Sequence, residues 1–321
     1  MNTKAGKGPS TKARSNSGLA PYMLIAPFMV LFVVFTLIPL IQAIPLATSH
    51  TFGPSATQYV GFEKFSQALH DPRFWTAMRN TLLFTVGSVF IQLPVALGLA
   101  MLLNKPGIKG RGFFRLLFFS PQLVGLVFVA VLASVMFQKQ KGLVNSLLAG
   151  AADWLRGLPL LNADAWLPTR SELLSIPWLE TLALPTLIIT ALWMYAGFNM
   201  VYFLAALQNV PRELEEAAMI DGAGPWKRFT NVVLPSIRPV AIFVVLLSVI
   251  GSIQVFELAY IMLRDGVGVQ DKGLTLVTYL FKSGFETGDL GYATAIGWMI
   301  AIMLAAAAIT QRVLQRREMS A

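Results

Sequence analysis

Long apolar blocks without Asp, Glu, Lys or Arg alternate along this chain with short segments where the charges collect. A helix needs about 20 apolar residues to cross the hydrocarbon layer of a bilayer. Six blocks reach that length: residues 21–47, 80–103, 116–137, 182–207, 239–260 and 290–313, the fifth carrying Glu257 near its end and the last Arg312. The pattern predicts an all-α, polytopic helical membrane protein with six transmembrane helices. The first block is too long for the core of a signal peptide, and no small-residue cleavage site with a soluble domain follows it, so it reads as a membrane anchor.

The segments between the blocks carry their own signals. Residues 48–79 read as an extracytoplasmic amphipathic segment. From Gly61 to Arg79, Phe62, Phe65, Leu69, Phe74 and Trp75 recur at helical intervals, as in an interfacial helix anchored by aromatics. Residues 151–177, rich in Trp, Leu and Pro, read as a cap over the outer mouth or a partner contact. Residues 1–20 are rich in Lys, Ser and Gly and predict a disordered cytoplasmic N-terminus; residues 314–321 form a cytoplasmic tail.

Composition agrees. The chain is 55% hydrophobic and 13% charged, against about 25% charged in soluble domains. A net charge of +9 raises the question of nucleic acid, but basic residues also gather in the cytoplasmic loops of membrane proteins. With both termini inside, the inner segments hold 15 of the 25 Lys and Arg, among them Lys105, Lys109, Arg111, Arg115, Arg212, Lys227, Arg228 and Arg238. The long outer connection, 138–181, translocates with little regard to charge. We therefore expect both termini in the cytoplasm, a cell (inner or plasma) membrane location, lipid as the surroundings and no nucleic-acid partner.

Several chemistries are excluded. There is no cysteine, hence no disulfide, thiolate nucleophile or cysteine metal site. Two histidines, His50 and His70, are too few for a histidine-based metal site, so no metal is expected. No Gly-x-x-x-x-Gly-Lys-Ser/Thr cradle for phosphates, no Gly-x-Ser-x-Gly elbow and no His-Glu-x-x-His pair occurs. No pair of intramembrane carboxylates suggests a proton relay. The chain is not expected to be an enzyme or to hold a cofactor. If ATP and Mg drive it, a partner subunit binds them.

The connection 208–238 is long for a link between neighbouring spans. Pro211 suits a helix's first turn, and Glu213, Glu215 and Glu216 put negative charge near its positive end. Leu214, Ala217 and Ala218 form a small-residue apolar face. Gly222 suits a left-handed stop and Pro225 a second start. Pro235 and Pro239 are expected to interrupt the chain where it re-enters the membrane. The product is a short helix-turn-helix on the cytoplasmic face, either a cap on the bundle or a rigid element that transmits force.

The residues Glu216-Ala217-Ala218, Gly222, Val232, Leu234 and Pro235 resemble the EAA loop of ABC importer permeases, and the fuller run with Asp221-Gly222-Ala223 and Phe229 resembles the carbohydrate branch of those permeases. Ala205-Ala206-Leu207-Gln208 and Val210-Pro211 resemble the carbohydrate-uptake branch, of maltose and glycerol-3-phosphate type. So do Asp71-Pro72, Phe74-Trp75, Ala77, Asn80-Thr81, Gly142-Leu143, Asn145, Phe256 and Gly291-Tyr292-Ala293 with Ala295. The resemblance implies the type I ABC importer permease fold, with the ABC type-1 transmembrane domain over residues 77–313. It implies that Glu216, Ala217, Ala218, Asp221 and Gly222 couple the spans to an ATPase. The implied partners are a second homologous permease, two ATP-binding cassette subunits and an extracytoplasmic solute-binding protein. The chain departs from the family at residues 264–269, where many members have a Gly-Gly-Pro loop.

Polar groups inside spans are costly and often functional. Sugars are held by aromatic faces and by amides that bond hydroxyls, which singles out Trp193, Gln92, Asn199 and Gln254, with Ser252 a weaker candidate. Helix packing competes as an explanation for each. Glu257 is expected at the interface near the outer end. The leading expectation is permeation of a sugar or oligosaccharide by alternating access. Rivals are glycerol 3-phosphate, a glycerophosphodiester or a polyol on the same machinery, or a stand-alone secondary carrier or channel.

Overall fold

The computed structural model describes residues 20–52, 56–105, 107–158 and 167–319. The disorder expected for the first residues falls outside this set up to residue 19. The first long helix, α1 (Tyr22–Ala47), has a π turn at Val33–Leu37. A two-stranded antiparallel ribbon follows, β1 (Ser49–Phe52) paired with β2 (Ala56–Tyr59), Ser49 opposite Tyr59. The hydrophobic pattern gave no sign of it.

Two helices occupy the segment read as a single interfacial helix. α2 (Glu63–His70) ends before Asp71, and α3 (Pro72–Asn104) is one unbroken 33-residue helix. The helix that carries the second span thus starts at Pro72, eight residues ahead of the block 80–103. Asp71 is its N-cap, its side chain accepting from the Arg73 N–H at 2.8 Å, with Pro72 in the first turn where no N–H is required. Phe74 is buried and Trp75 half exposed, so the aromatics do not share one interfacial face.

The segment of the expected span 116–137 consists of two helices, α4 (Arg111–Val124) and α5 (Leu126–Met136), bent by 98° at Gly125. Gly125 has φ +96° and ψ 148°, a conformation essentially confined to glycine. α6 (Leu143–Arg156) and α7 (Arg170–Leu174) make up the long connection, in which the Trp-, Leu- and Pro-rich stretch is only partly described. α8 (Ala183–Gln208) is the fourth span.

After α9 (Arg212–Ile220), the chain enters α10 (Pro225–Ile253), which is continuous from the loop into the fifth span. Pro235 and Pro239 do not interrupt it. A π turn at Phe229–Val233 widens the helix just ahead of Pro235, where an α turn would clash with the ring. The Ser236 hydroxyl donates to the Val232 carbonyl at 2.6 Å. The expected span 239–260 ends early: α10 stops at Ile253, residues 254–256 are not helical, and α11 (Glu257–Met262) starts anew. α12 (Leu276–Phe281) and α13 (Leu290–Met319) complete the chain.

The main core joins α3, α8 and α10. Ala96 and Ala100, fully buried and one turn apart, bring α3 against Met200, Phe203 and Leu204 of α8, with Ile237 and Val244 of α10. Small residues at such contacts let helix backbones approach where lipid offers no hydrophobic drive. At the far end a second cluster links Phe74 and Ala77 to Leu274, Leu276, Tyr292 and Ile296.

The family-like polar residues are the ties of that end. Asn80 donates from Nδ2 to the carbonyls of Asp271 (2.8 Å) and Leu274 (3.0 Å), and the Thr81 hydroxyl accepts from the Leu276 N–H at 2.9 Å. Arg73 grips the Asp271 carboxylate with two bonds of 2.8 Å. Asn145 donates to the carbonyls of Leu174 and Ile176 and accepts from Trp178 Nε1. A Cβ on Gly291 would lie 2.1 Å from the Ser49 carbonyl oxygen, so α13 seats on the ribbon only as glycine. The bonds from Arg73, Asn80 and Thr81 hold the loop after α11, where Asp265, Gly266, Gly268, Gln270 and Asp271 all have positive φ.

Candidate functional site

A cavity of about 190 Å³ opens among α3, α8, α10 and the start of α11. Four of the five sequence-nominated residues line it: Gln92, Asn199, Ser252 and Gln254. The helices place them by simple periodicity. Ser88 and Gln92 stand one turn apart on α3, Tyr195 and Asn199 on α8, and Ser248 and Ser252 on α10, so each helix offers an i, i+4 pair to one space.

Trp193, the fifth nominee, does not line the cavity; it is 44% exposed on another face of α8. It lies six residues, or about 240° of rotation, from Asn199, so the two cannot share a face. Because α8 is apolar around its whole circumference, composition gave no rotational phase. Tyr195, Phe198 and Phe256 are the aromatic walls that the sequence reading passed over. The one usable signal was Tyr195 a single turn before Asn199.

The polar groups are poised rather than spent. Ser88 Oγ is buried and has no hydrogen-bond partner among the described residues. Asn199 Nδ2 reaches Ser248 Oγ at 3.5 Å, a long and weak contact between α8 and α10. The break at 254–256 puts irregular backbone at membrane depth, which is tolerated where it lines a cavity or is buried in protein. Here Val255 and Phe256 line the cavity, and the Val255 carbonyl accepts from Thr275 Oγ1 at 2.9 Å. Gln254 therefore sits on a turn rather than on a span, and Glu257 heads a separate short helix at the cavity rim. Among the lining residues Glu257 is the one carboxylate, and there is no Lys, Arg or His.

The second candidate feature is the turn 209–224. Pro211 stands just before α9 as its cap rather than inside its first turn. Gly222, at φ +76°, donates its N–H to the Met219 carbonyl (3.1 Å), and Ala223 donates to the Ala218 carbonyl (2.9 Å). This paired closure uses a left-handed residue to satisfy the last carbonyls of a helix. No residue of α9 is buried. Glu216, Ala217 and Asp221 are exposed and Ala218 is half-buried, beside Leu214, Met219, Ile220 and Trp226, which present exposed apolar surface. Met219, Ile220 and Trp226 extend the small-residue face that the sequence suggested.

At the far end, outside the spans, Asp71 accepts hydrogen bonds from Tyr279 and from Tyr292 (2.8 Å). Burial opposes its ionisation, but these hydroxyls and the N–H groups of Arg73 and Phe74 outweigh it and hold the carboxyl below its ordinary 3.8.

Residues 92–318 match the family described as binding-protein-dependent transport system inner membrane component. The arabinooligosaccharides transport system permease protein AraP of Bacillus subtilis (strain 168) is 33% identical over 89% of this chain and 85% of that protein. The lactose transport system permease protein LacF of Rhizobium radiobacter is 32% identical over 90% and 92%. A chain of a bacterial alginate ABC transporter, solved in complex with an alginate pentasaccharide-bound periplasmic protein, shares the fold with a TM-score of 0.77. It covers 94% of this chain and 96% of its own length at 23% identity. With five helices among the described residues long and apolar enough to cross a membrane, and a sixth span if the bent pair counts as one, this chain belongs to the family of binding-protein-dependent transport system inner membrane components.

Proposed function

We propose that this chain is the permease subunit of an ATP-driven importer that carries a sugar or oligosaccharide across the cytoplasmic membrane by alternating access. The observation that carries the substrate class is the cavity: amides and hydroxyls from three helices, aromatic walls from Tyr195, Phe198 and Phe256, and no basic residue. Hydroxyl-rich neutral solutes suit amide and hydroxyl partners with aromatic faces. Glycerol 3-phosphate or a glycerophosphodiester would require a cation there, and the rim instead carries Glu257. The sugar-transporting relatives support the same reading.

In this reading both termini are cytoplasmic, and the basic residues of the 105–115 and 212–238 segments face the cytoplasm. α9 docks on an ATP-binding cassette subunit through Glu216, Ala217, Ala218, Asp221 and Gly222. ATP and Mg belong to that subunit, of which the complex holds two. A second permease of similar kind completes the pathway, and an extracytoplasmic binding protein delivers the solute. The continuous α10 runs from the docking turn to the cavity wall at Ser252, so a push on the turn reaches the site through one helix.

Gly222→Val tests the coupling. A Cβ at Gly222 would meet nothing within 4 Å, so the substitution strains the backbone without a clash. Membrane insertion is expected to persist while binding-protein-stimulated uptake falls to background. Gly222→Asn, which tolerates the left-handed conformation, is expected to retain much of the uptake. Wild-type uptake by Gly222→Val would remove the turn from the coupling path.

A further inference from the structure

We propose that the basic end of the bundle holds a phosphate-binding site, in the cleft between the docking turn and the ends of α3 and α8, whose occupant stiffens the joint between α9 and α10. The cleft has a volume of about 420 Å³ and is lined by Asn104 at the end of α3, Lys105 just after it, Glu215 of α9, and Arg228 and Phe229 at the start of α10.

Three observations converge. Arg228 is half-buried, and its Nε is shielded from solvent and has no hydrogen-bond partner among the described residues, a state it shares with the Nε of Arg111 and Arg115; of the three, Arg228 is the one that lines the cleft. A guanidinium N–H left unpaired inside protein is costly, and its fork geometry matches phosphate oxygens. Lys105 also lines the cleft, and its carbonyl accepts a hydrogen bond from Arg111 Nη2. Lys105 and Arg228 against Glu215 leave an excess of one positive charge (2 − 1). Finally, Phe229 and Val233, at the two ends of the π turn of α10, form part of the wall. A π turn is a weak point in a helix, often found at functional sites. An anion bridging Lys105 and Arg228 would tie α3 to α10 across that weak point and restrain the movement of α9.

The chemistry is that of a phosphate group with room for an attached glycerol or sugar. Its source is either the headgroup of an anionic phospholipid or a soluble phosphate ester. The inference rests on the docking-turn reading, because it places the cleft on the ATP side.

The test uses the complete importer, with its ATPase, second permease and binding protein, in phosphatidylcholine liposomes. One arm adds glucose 6-phosphate on the ATP side or on the opposite side; the other adds phosphatidylglycerol to the bilayer. We expect one arm to change binding-protein-stimulated ATP hydrolysis by about two-fold or more, as for a ligand that favours one state. That response is expected to be lost in Arg228→Gln and Lys105→Gln but kept in Lys109→Gln, a basic residue of the same end outside the cleft. No response in either arm overturns the proposal, as does a response unchanged in both cleft variants or equally lost in Lys109→Gln. If the cleft variants do not assemble, the unfolding midpoint of the wild-type complex decides: a rise with either ligand supports the site, and no shift with both overturns it. Failure of the docking-turn reading looks different, since glucose 6-phosphate would then act from the side opposite ATP.

Discussion

Gly197 of α8 lies so close to Phe118 of α4 that a Cβ on the glycine would fall 1.9 Å from the Phe118 carbonyl oxygen. Two helix backbones therefore touch beside the cavity, and the neighbouring rings of Phe119 and Phe198 stack with centroids 6.4 Å apart. α4 is thereby held against the span that carries Tyr195 and Asn199. Gly197→Ala forces the helices apart, and overpacking of this kind costs about 1–3 kcal/mol. A fall of several degrees in the unfolding midpoint of the purified complex is expected. Gly98→Ala on α3, where nothing lies within 4 Å, is the matched control and is expected to be neutral or slightly stabilising.

Trp193→Ala is expected to leave uptake close to wild type, because the ring faces away from the cavity. Asn199→Ala and Gln92→Ala are expected to lower uptake by roughly 2- to 10-fold each, the value of one hydrogen bond of about 0.5–1.5 kcal/mol. Initial rates of labelled sugar uptake check this, and a defect confined to Trp193→Ala would reassign the pathway.

Asn80→Ala strips the Leu274 carbonyl of its side-chain donor and leaves the Asp271 carbonyl with the Leu274 N–H alone, at 3.1 Å. A buried acceptor left unpaired costs about 1–3 kcal/mol. The expected result is faster amide exchange across residues 266–276, read by hydrogen–deuterium exchange, with α8 unaffected. Unchanged exchange in that loop would show that Arg73 and Thr81 hold it alone.

The Asp71 cluster has a pH signature. Its carboxyl is depressed in the folded state, so the stability it contributes is fully present above the ordinary value of 3.8 and is lost as pH falls through the folded value. Tyr292→Phe is expected to lower the unfolding midpoint at neutral pH, and the gap to wild type should narrow progressively as pH falls below 3.8. A gap constant with pH would mean that the hydroxyl serves packing alone.

How much of this was legible in the residues differs from element to element. The existence of the spans, the stop at Gly222 and the start at Pro225 are local matters. They follow from the length of an apolar run, from a glycine that tolerates positive φ or from a proline that suits a first turn, and they could be read directly, whereas the start at Asp71-Pro72 was missed inside an aromatic-rich segment. Gln92, Asn199, Ser252 and Gln254 could likewise be nominated, because a polar group within an apolar block is conspicuous whatever its partners.

Other features depend on what packs where. α8 is apolar on every side, so only its contacts with α3 and α4 turn Tyr195 and Asn199 inward and Trp193 outward. The bend at Gly125 and the break at 254–256 leave backbone groups that other segments must satisfy, as Thr275 does for Val255, twenty residues on. The uninterrupted passage of α10 through Pro235 depends on a π turn that no propensity signals. Sequence by itself determined which stretches enter the membrane and where a helix can end. Tertiary structure decided which face each helix turns to the cavity and where its backbone breaks, because both are set by long-range packing and hydrogen bonds rather than by local preference.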